Sequence, residues 1–387
     1  MTKERRVTAS RRRFAVALGS GTAAAVAGCL GTDPSGTASM DAGDDGAGDG
    51  TGDDGGDAIT NADDAGATVG MIYALGGLDD RSFNDAANRG IQRARLDYDV
   101  AFANEEPTSI PEFEATQAAL SASSDPAYDL ICCIGFLQGD ALSTVAGEHP
   151  DQQYVIVDSV VDSDNVASYV FREHEGSFQA GHLAGLVTDR DLSVGAGATV
   201  PDERTVGYVG GVDSPLVRKF EAGYRAGVAH ATADVSVLST YLGAFDDPEG
   251  GYAAAAEMFE QGADVVYHAA GGSGLGVFQA AQEYGRYAIG VDSDQSRSNP
   301  RYADVILASM VKRVGTAVYD AVEETIDGDL DTGSTTALGL AEDGVALVYG
   351  TSLGPVIPDD VRAAITDSGD RIVDGDLSVP TDPEAVN

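Results

Sequence analysis

From Thr68 onward, short apolar runs rich in Val, Ile and Tyr alternate with helical stretches, separated by glycine or aspartate turns. The runs predict strands at Thr68–Ala74, Asp129–Gly135, Gln153–Asp158, Ala167–Phe171, Thr205–Gly210, Asp264–His268 and Ala288–Asp292. Helical stretches fall at Asn84–Leu96, Asp140–Glu148, Glu175–Thr188, Pro215–Ala231 and Gly251–Gln261. In the first of these, Ala87, Ile91 and Ala94 recur at three-to-four spacing and form one apolar stripe. Gly262 stands where a helix C-terminal glycine belongs. Strands that are apolar on both faces and alternate with helices imply mostly parallel sheets in a doubly wound α/β fold. The 387-residue length suits two such units, although no internal repeat is visible. Ligands in these folds bind beyond the carboxyl ends of the strands, so the polar residues just after each strand are the ones to inspect.

The first 67 residues follow a different pattern. Arg11-Arg12-Arg13-Phe14 precedes a run of small and apolar residues from Ala15 to Gly28. A charged region, a short apolar region and a small-residue site describe an export signal, here of twin-arginine type, over residues 1–28. Val26-Ala27-Gly28-Cys29 resembles a lipobox, which makes Cys29 the expected lipidation site. Residues 29–67 should then be a lipid-anchored, flexible acidic spacer. Ten aspartates and no Lys or Arg lie between Thr32 and Ala67, with too little apolar surface to offset chain entropy. One acyl chain holds a protein only marginally, so more than one is expected at Cys29.

Charge narrows the choice of partner. The chain carries 63 acidic against 23 basic residues, a formal charge of −40. Only eleven of those acidic residues precede residue 68, so the acidity belongs to the folded part. A nucleic-acid partner is excluded, because phosphate binding needs clustered Lys and Arg. Such a surface repels itself in dilute buffer and is screened by dissolved salt, which marks a protein built for high salt. After the N-terminal region only Lys219 and Lys312 remain as lysines.

No catalytic constellation is evident. His149, His174, His182, His230 and His268 form no metal spacing and read as surface or turn residues. Cys132 and Cys133 lie inside an apolar strand and read as inert core. Gly271-Gly272-Ser273-Gly274-Leu275-Gly276 follows a strand, opens a helix through Phe278–Tyr284 and precedes Asp292 by about twenty residues, which is the layout of a dinucleotide fingerprint. The pattern fails at Val277, and a glycine turn that lets a helix pack or a ligand approach is the better reading. Neither a metal nor a cofactor is expected. The remaining candidates follow strand ends: Asp79 to Asn84, Gln138 to Asp140, Phe245 to Asp247, and Asp292 to Asp294. Singly, each is more often a helix cap than a ligand contact. Together their aromatic faces and carboxylates suit a neutral, ring-bearing ligand with hydroxyls.

The stretches GGLDDRSFNDAANRGIQRA (76–94), GFLQGDAL (135–142), VVDSDNVASYVFREHEGSFQAG (160–181), VGYVGGVDSPLVRKFEAGYRAGV (206–228), QGADVVYHAAGGSGLGVFQAA (261–281), YAIGVDSDQ (287–295) and SMVKRVGTAVYDAV (309–322) resemble the basic-membrane-protein family of ABC-transporter substrate-binding lipoproteins. The best-understood members of that family bind purine nucleosides. The resemblance implies a type I periplasmic-binding-protein fold, with two Rossmann-like lobes, three hinge crossings and ligand in the cleft. It places lobe 1 at 68–170 plus 310–340 and lobe 2 at 171–309 plus 341–387. Carried over, Phe83 and Phe245 sandwich the base, Asp292 accepts from ribose hydroxyls, and Lys312 bonds the sugar region or braces Asp292. Gly271 and Gly272 offer backbone groups. Asp80, Ser82, Asn84, Gln138 and Asp140 complete the expected set. The family commonly places an aspartate nine residues before the phenylalanine matching Phe83, and this chain has Ala74 there, which leaves base choice open. The implied role is a non-enzymatic, monomeric receptor at the extracellular face of the membrane, passing a nucleoside to an ABC permease and its ATPase. An extracellular dinucleotide enzyme and a same-fold receptor for a sugar or another small solute are the alternatives.

Overall fold

The computed structural model describes residues 65–232 and 234–386. The expected signal over 1–28, the lipidation at Cys29 and the spacer up to residue 64 lie outside these residues. The last spacer residues already join the fold. The Gly66 N–H donates to the Asp99 carbonyl at 3.1 Å, and Ala67 is buried.

The first run of elements is β1 (Thr68–Ile72), α1 (Phe83–Tyr98), β2 (Ala101–Glu105), α2 (Ile110–Ser121), β3 (Leu130–Ile134), α3 (Gly139–Glu148), β4 (Gln153–Val157) and β5 (Val166–Phe171). Next come α4 (Glu173–Thr188) and a small hairpin, β6 (Ser193–Val194) with β7 (Gly197–Ala198). A second run follows: β8 (Thr205–Gly210), α5 (Pro215–Ala231), β9 (Ser236–Tyr241), α6 (Pro248–Glu260), β10 (Ala263–Ala269), α7 (Gly274–Tyr284), β11 (Tyr287–Asp292), α8 (Gln295–Ser298) and β12 (Ile306–Lys312). The chain closes with α9 (Val314–Asp327), β13 (Thr335–Leu338), β14 (Val345–Tyr349) and α10 (Asp359–Val373).

Two six-stranded sheets result. The first has the order β2-β1-β3-β4-β5-β13 and is parallel throughout. The second has the order β9-β8-β10-β11-β12-β14, and only the β12–β14 pair is antiparallel. Both sheets repeat one strand order, with the second strand outside the first and the third to fifth on its other side. This is the internal repeat that the sequence did not display. In such a sheet the chain reverses its direction of progress between the first and third strands, and the crevice there is where ligands bind.

The chain passes between the two sheets three times. It leaves β5 at Arg172, returns from β12 at Arg313 to α9, which packs on α1, and crosses again between β13 and β14. β12 pairs with β14 through Lys312, so the second pass comes after Lys312 rather than before residue 310. The third pass is tied to the other two. The Arg172 and Arg313 N–H groups donate to the Leu338 and Gly344 carbonyls, each at 2.9 Å.

The second lobe is held by the α4–α5 contact, where glycines let two helices approach backbone to backbone. A Cβ on Gly181 would lie 1.9 Å from the Tyr224 carbonyl oxygen, and one on Gly227 would lie 2.0 Å from that of Phe178. A backbone oxygen cannot rotate away as a side chain can. Overfilling a packed site costs about 1–3 kcal/mol, and here the upper end applies. Gly227→Ala is expected to lower the urea midpoint by that amount, measured in concentrated KCl, whereas Gly147→Ala meets nothing within 4 Å and serves as the control. Equal midpoints for the two variants would contradict the close-packed crossing.

Candidate ligand-binding site

A cavity of about 340 Å³ lies at the carboxyl ends of the strands, lined by residues that follow β1, β3 and β4 on one side and β9, β10 and β11 on the other. This is the size of a small-molecule site. Phe83 opens α1, and Phe245 sits in the turn between β9 and α6, so the two rings reach the cavity from different lobes. Each ring has a glycine beside it. A Cβ on Gly135 would come 3.6 Å from Phe83 Cε1 and 2.9 Å from the Ala74 Cβ, and one on Gly211 would come 2.3 Å from Phe245 Cε1.

The expected polar residues divide into groups free to meet a ligand and groups occupied by the protein. Asp80 accepts from the Ser82 and Asn84 N–H groups at 2.8 Å and from Asp85 at 3.2 Å, capping α1. Burial raises its carboxyl above the ordinary range, although those three donors work the other way. Asn84 holds the loop after β1. Its Oδ1 accepts from the Ala74 N–H at 3.0 Å, and its Nδ2 donates to the Ala74 and Gly77 carbonyls. Gln138 is fully buried and ties two strand ends together, donating to the Ile72 and Ile134 carbonyls, each at 2.9 Å. All three line the cavity, yet their hydrogen bonds are structural. Asp140 does not reach the cavity. It lies exposed in the first turn of α3, where a carboxylate complements the helix dipole.

Asp292 ends β11 with φ +64°, a left-handed conformation that turns the chain sharply under the cleft. Its Oδ2 accepts from Ser82 Oγ at 2.5 Å, joining the first lobe to the second. Ser82 is therefore a partner of Asp292 rather than part of the lining. Burial pushes the Asp292 carboxyl up to about 6, while Lys312 and the Ser82 hydroxyl pull it down and Asp80 and Asp158 add to the rise. The Arg81 Nη1 donates across the same seam to Asn299 Oδ1 at 3.1 Å.

Lys312 does not bond Asp292. Its ammonium donates to Asp158 Oδ2 at 2.5 Å and lies 3.3 Å from Glu173 Oε1, with all three side chains buried. The rings of Phe171, Phe83 and Phe220 surround it at 5.0, 5.1 and 5.7 Å. Burial opposes its charge, but Asp158, Glu173 and Asp292 outweigh that and raise its pKa. Burial and the neighbouring Glu173 raise Asp158 in turn, against the pull of Lys312. Lys312 thus braces Asp292 through its field. Asp158 follows β4 directly, so the strand-end rule reaches it. Glu173 opens α4, and an acid at a helix N-terminus ordinarily marks solvent, so no sequence signal distinguishes it.

The glycine run divides in the same way. Gly271 and Gly272 line the cavity beneath Phe245, Gly271 with φ +53°. A Cβ on Gly274 would lie 1.9 Å from His268 Cε1, and one on Gly276 would lie 1.9 Å from the Pro248 carbonyl oxygen. Those two glycines serve helix packing, which leaves the dinucleotide reading without its phosphate cradle. His268 and His182 are buried rather than surface residues. Burial lowers each to about 4, and they bond Gln295 Oε1 and Ser368 Oγ. Cys132 and Cys133 are buried free thiols, and burial pushes Cys132 up to about 12.

Comparison with known proteins agrees with this geometry. The family model described as ABC transporter substrate-binding protein PnrA-like matches residues 67–382. A CD4+ T-cell-stimulating antigen of Listeria innocua is 33% identical over 338 residues, covering 82% of this chain and 88% of its own. The ABC transporter nucleoside-binding protein BmpA of Lactococcus lactis is 31% identical over 331 residues, covering 80% and 88%. Among solved structures, an ABC transporter solute-binding protein from Aeropyrum pernix K1 superposes with a TM-score of 0.72 at 28% identity, covering 82% of this chain and 95% of that one. A family model spanning most of the chain, matched relatives and a shared two-sheet fold place the chain in the PnrA-like family of ABC transporter substrate-binding proteins.

Proposed function

We propose that this protein captures a nucleoside, of purine type by its resemblance, in the cleft between its lobes and delivers it to an ABC permease outside the cell. The observation that carries the reading is one cavity with a phenylalanine from each lobe, Phe83 and Phe245, and a buried carboxylate, Asp292, at its floor. Two rings on opposite lobes hold a planar base between them, and a carboxylate accepts from vicinal hydroxyls. Closure of lobe 1 (68–170 with the following α9 and β13) on lobe 2 buries the solute and forms the surface that the permease meets. No helix among the described residues is long and apolar enough to cross a membrane. Anchoring is assigned to a lipid on Cys29 after twin-arginine export, with the acidic spacer as tether and the protein acting as a monomer.

Calorimetric titration in concentrated KCl against nucleosides, free bases and ribose tests the reading. Nucleosides should bind tightly, and bases or ribose alone should bind far more weakly. Stacking on an aromatic ring contributes about 1–3 kcal/mol, so Phe83→Ala and Phe245→Ala should each weaken every nucleoside about 5- to 150-fold. Unchanged titrations for both variants would remove the two rings from the site. Tight ribose binding with indifference to the base would favour the sugar-receptor alternative.

A further inference from the structure

Beyond the cavity, the two lobes bond each other directly. In the loop between β1 and α1, Asp79 and Arg81 hold left-handed backbone, with φ +65° and +53°. Side chains other than glycine meet a steric cost there. Asp85 keeps both residues in place, its carboxylate accepting from the Asp79 N–H at 2.9 Å and the Arg81 N–H at 3.0 Å. Arg81 then reaches the segment after β11 with both its side chain and its backbone. Its Nη1 donates to Asn299 Oδ1 at 3.1 Å. Its carbonyl oxygen lies among three donors, Ser298 Oγ at 3.3 Å and Ser293 Oγ and Gln295 Nε2 at 3.4 Å. The receiving side is fixed in advance, with Gln295 and Asn299 each only 2% exposed. Gln295 Oε1 accepts from the Val291 N–H at 2.8 Å and bonds His268 Nε2 at 2.9 Å, which leaves its Nε2 turned to Arg81.

Backbone strain held at a residue whose partners wait on the opposite lobe fits a contact that forms and breaks in a switch. We infer that Arg81 is a latch, which stabilises the closed arrangement through the protein alone. The unliganded receptor then already samples closure, and a solute meets a cleft that is partly prepared. Apparent affinity scales with the population of the state that takes the ligand. Losing the latch therefore weakens every solute by one common factor, the ratio of the closed populations, and leaves preference among solutes untouched. The inference rests on the lobe closure proposed above, and not on which solute is bound.

Arg81→Asn tests this, since asparagine tolerates the left-handed backbone and is too short to reach Asn299. The whole protein, with one spin label on each lobe, is measured in concentrated KCl by double electron–electron resonance. Without ligand, the native protein should show a short-distance population alongside a long one. In Arg81→Asn the ratio of short to long should fall about 2- to 10-fold, the range of one hydrogen bond. Asn299→Ala should lower the same ratio, and the double variant should fall no further than the weaker of the two singles. Calorimetry should find adenosine, inosine and guanosine all weakened by one shared factor, no larger than the fall in that ratio. A native protein with no short-distance population, unchanged distances in Arg81→Asn, or a factor that differs among the three nucleosides would overturn the latch. If none of the three binds, the nucleoside reading falls, while the unliganded distances still decide for or against the latch.

Discussion

Replacing Lys312 with methionine is expected to remove about 3–5 kcal/mol of folding stability, the cost of leaving buried charge without its partner. Methionine fills nearly the same space, so little packing is lost. What disappears is the cation that Asp158 and Glu173 share, and neither carboxylate has water to turn to. Glu173 depends on it most, because neither of its oxygens has a hydrogen bond and Lys219 stands 3.7 Å away. Without the ammonium that pulls it down, the buried Asp158 carboxyl should hold its proton to higher pH than in the unfolded chain. Stability of the variant should then fall as pH rises from about 5 to 7, more steeply than in the native protein. Urea unfolding at both pH values measures this. A loss below about 1 kcal/mol, the range of an exposed ion pair, would show that the triad is not a buried unit. Asp158→Asn in the Lys312→Met background should recover part of the loss, since one stranded charge is gone.

Asp292 carries the second large effect, this time on binding. Hydrogen bonds to a charged group contribute about 1.5–3 kcal/mol each, so losing the carboxylate should weaken nucleosides at least tenfold. Asparagine is the better probe than alanine, because it tolerates the left-handed backbone at φ +64° and still accepts from Ser82. The pH dependence separates charge from shape. Burial holds the Asp292 carboxyl near 6, above its unfolded value, so its charged burial subtracts from apo stability as pH rises through that range. Ligand affinity runs in the opposite sense: it should be flat above pH 7 and fall toward tenfold per unit below about 6. Asp292→Asn should abolish that slope. A native protein that binds equally well at pH 5 and pH 7.5 would take Asp292 out of the ligand's hydrogen bonds.

The strands legible in the sequence were those covered on both faces, such as β3, whose Leu-Ile-Cys-Cys-Ile is wholly buried. The edge strands β2, β9 and β13 escaped, because half-exposed edges carry residues such as Asn104, Ser239 and Thr335 in place of an apolar run, and β14 escaped although its Val-Ala-Leu-Val-Tyr is apolar throughout. β12 escaped although it is buried, since Ala308 and Ser309 break its pattern. The strand-end rule located the cleft and both phenylalanines. It could not distinguish Asn84 and Gln138, whose amides hold backbone, from side chains open to a ligand, because that depends on partners 4 to 66 residues away. Nor could it join Glu173 to Lys312, which are distant in the chain and meet only where the lobes do.

The arrangement of the three chain passes limits how this molecule can move. β5 pairs with β13 in one sheet and β12 with β14 in the other, so the third pass runs between the first two with backbone hydrogen bonds to each. Three neighbouring peptides joined edge to edge bend readily about one line and resist both twist and slide. The proposed closure of the lobes should therefore reduce to a single angle. One pair of spin labels, one on each lobe and far from the cleft, should read the whole conformational state as a single distance that shortens with ligand, with no second coordinate to resolve.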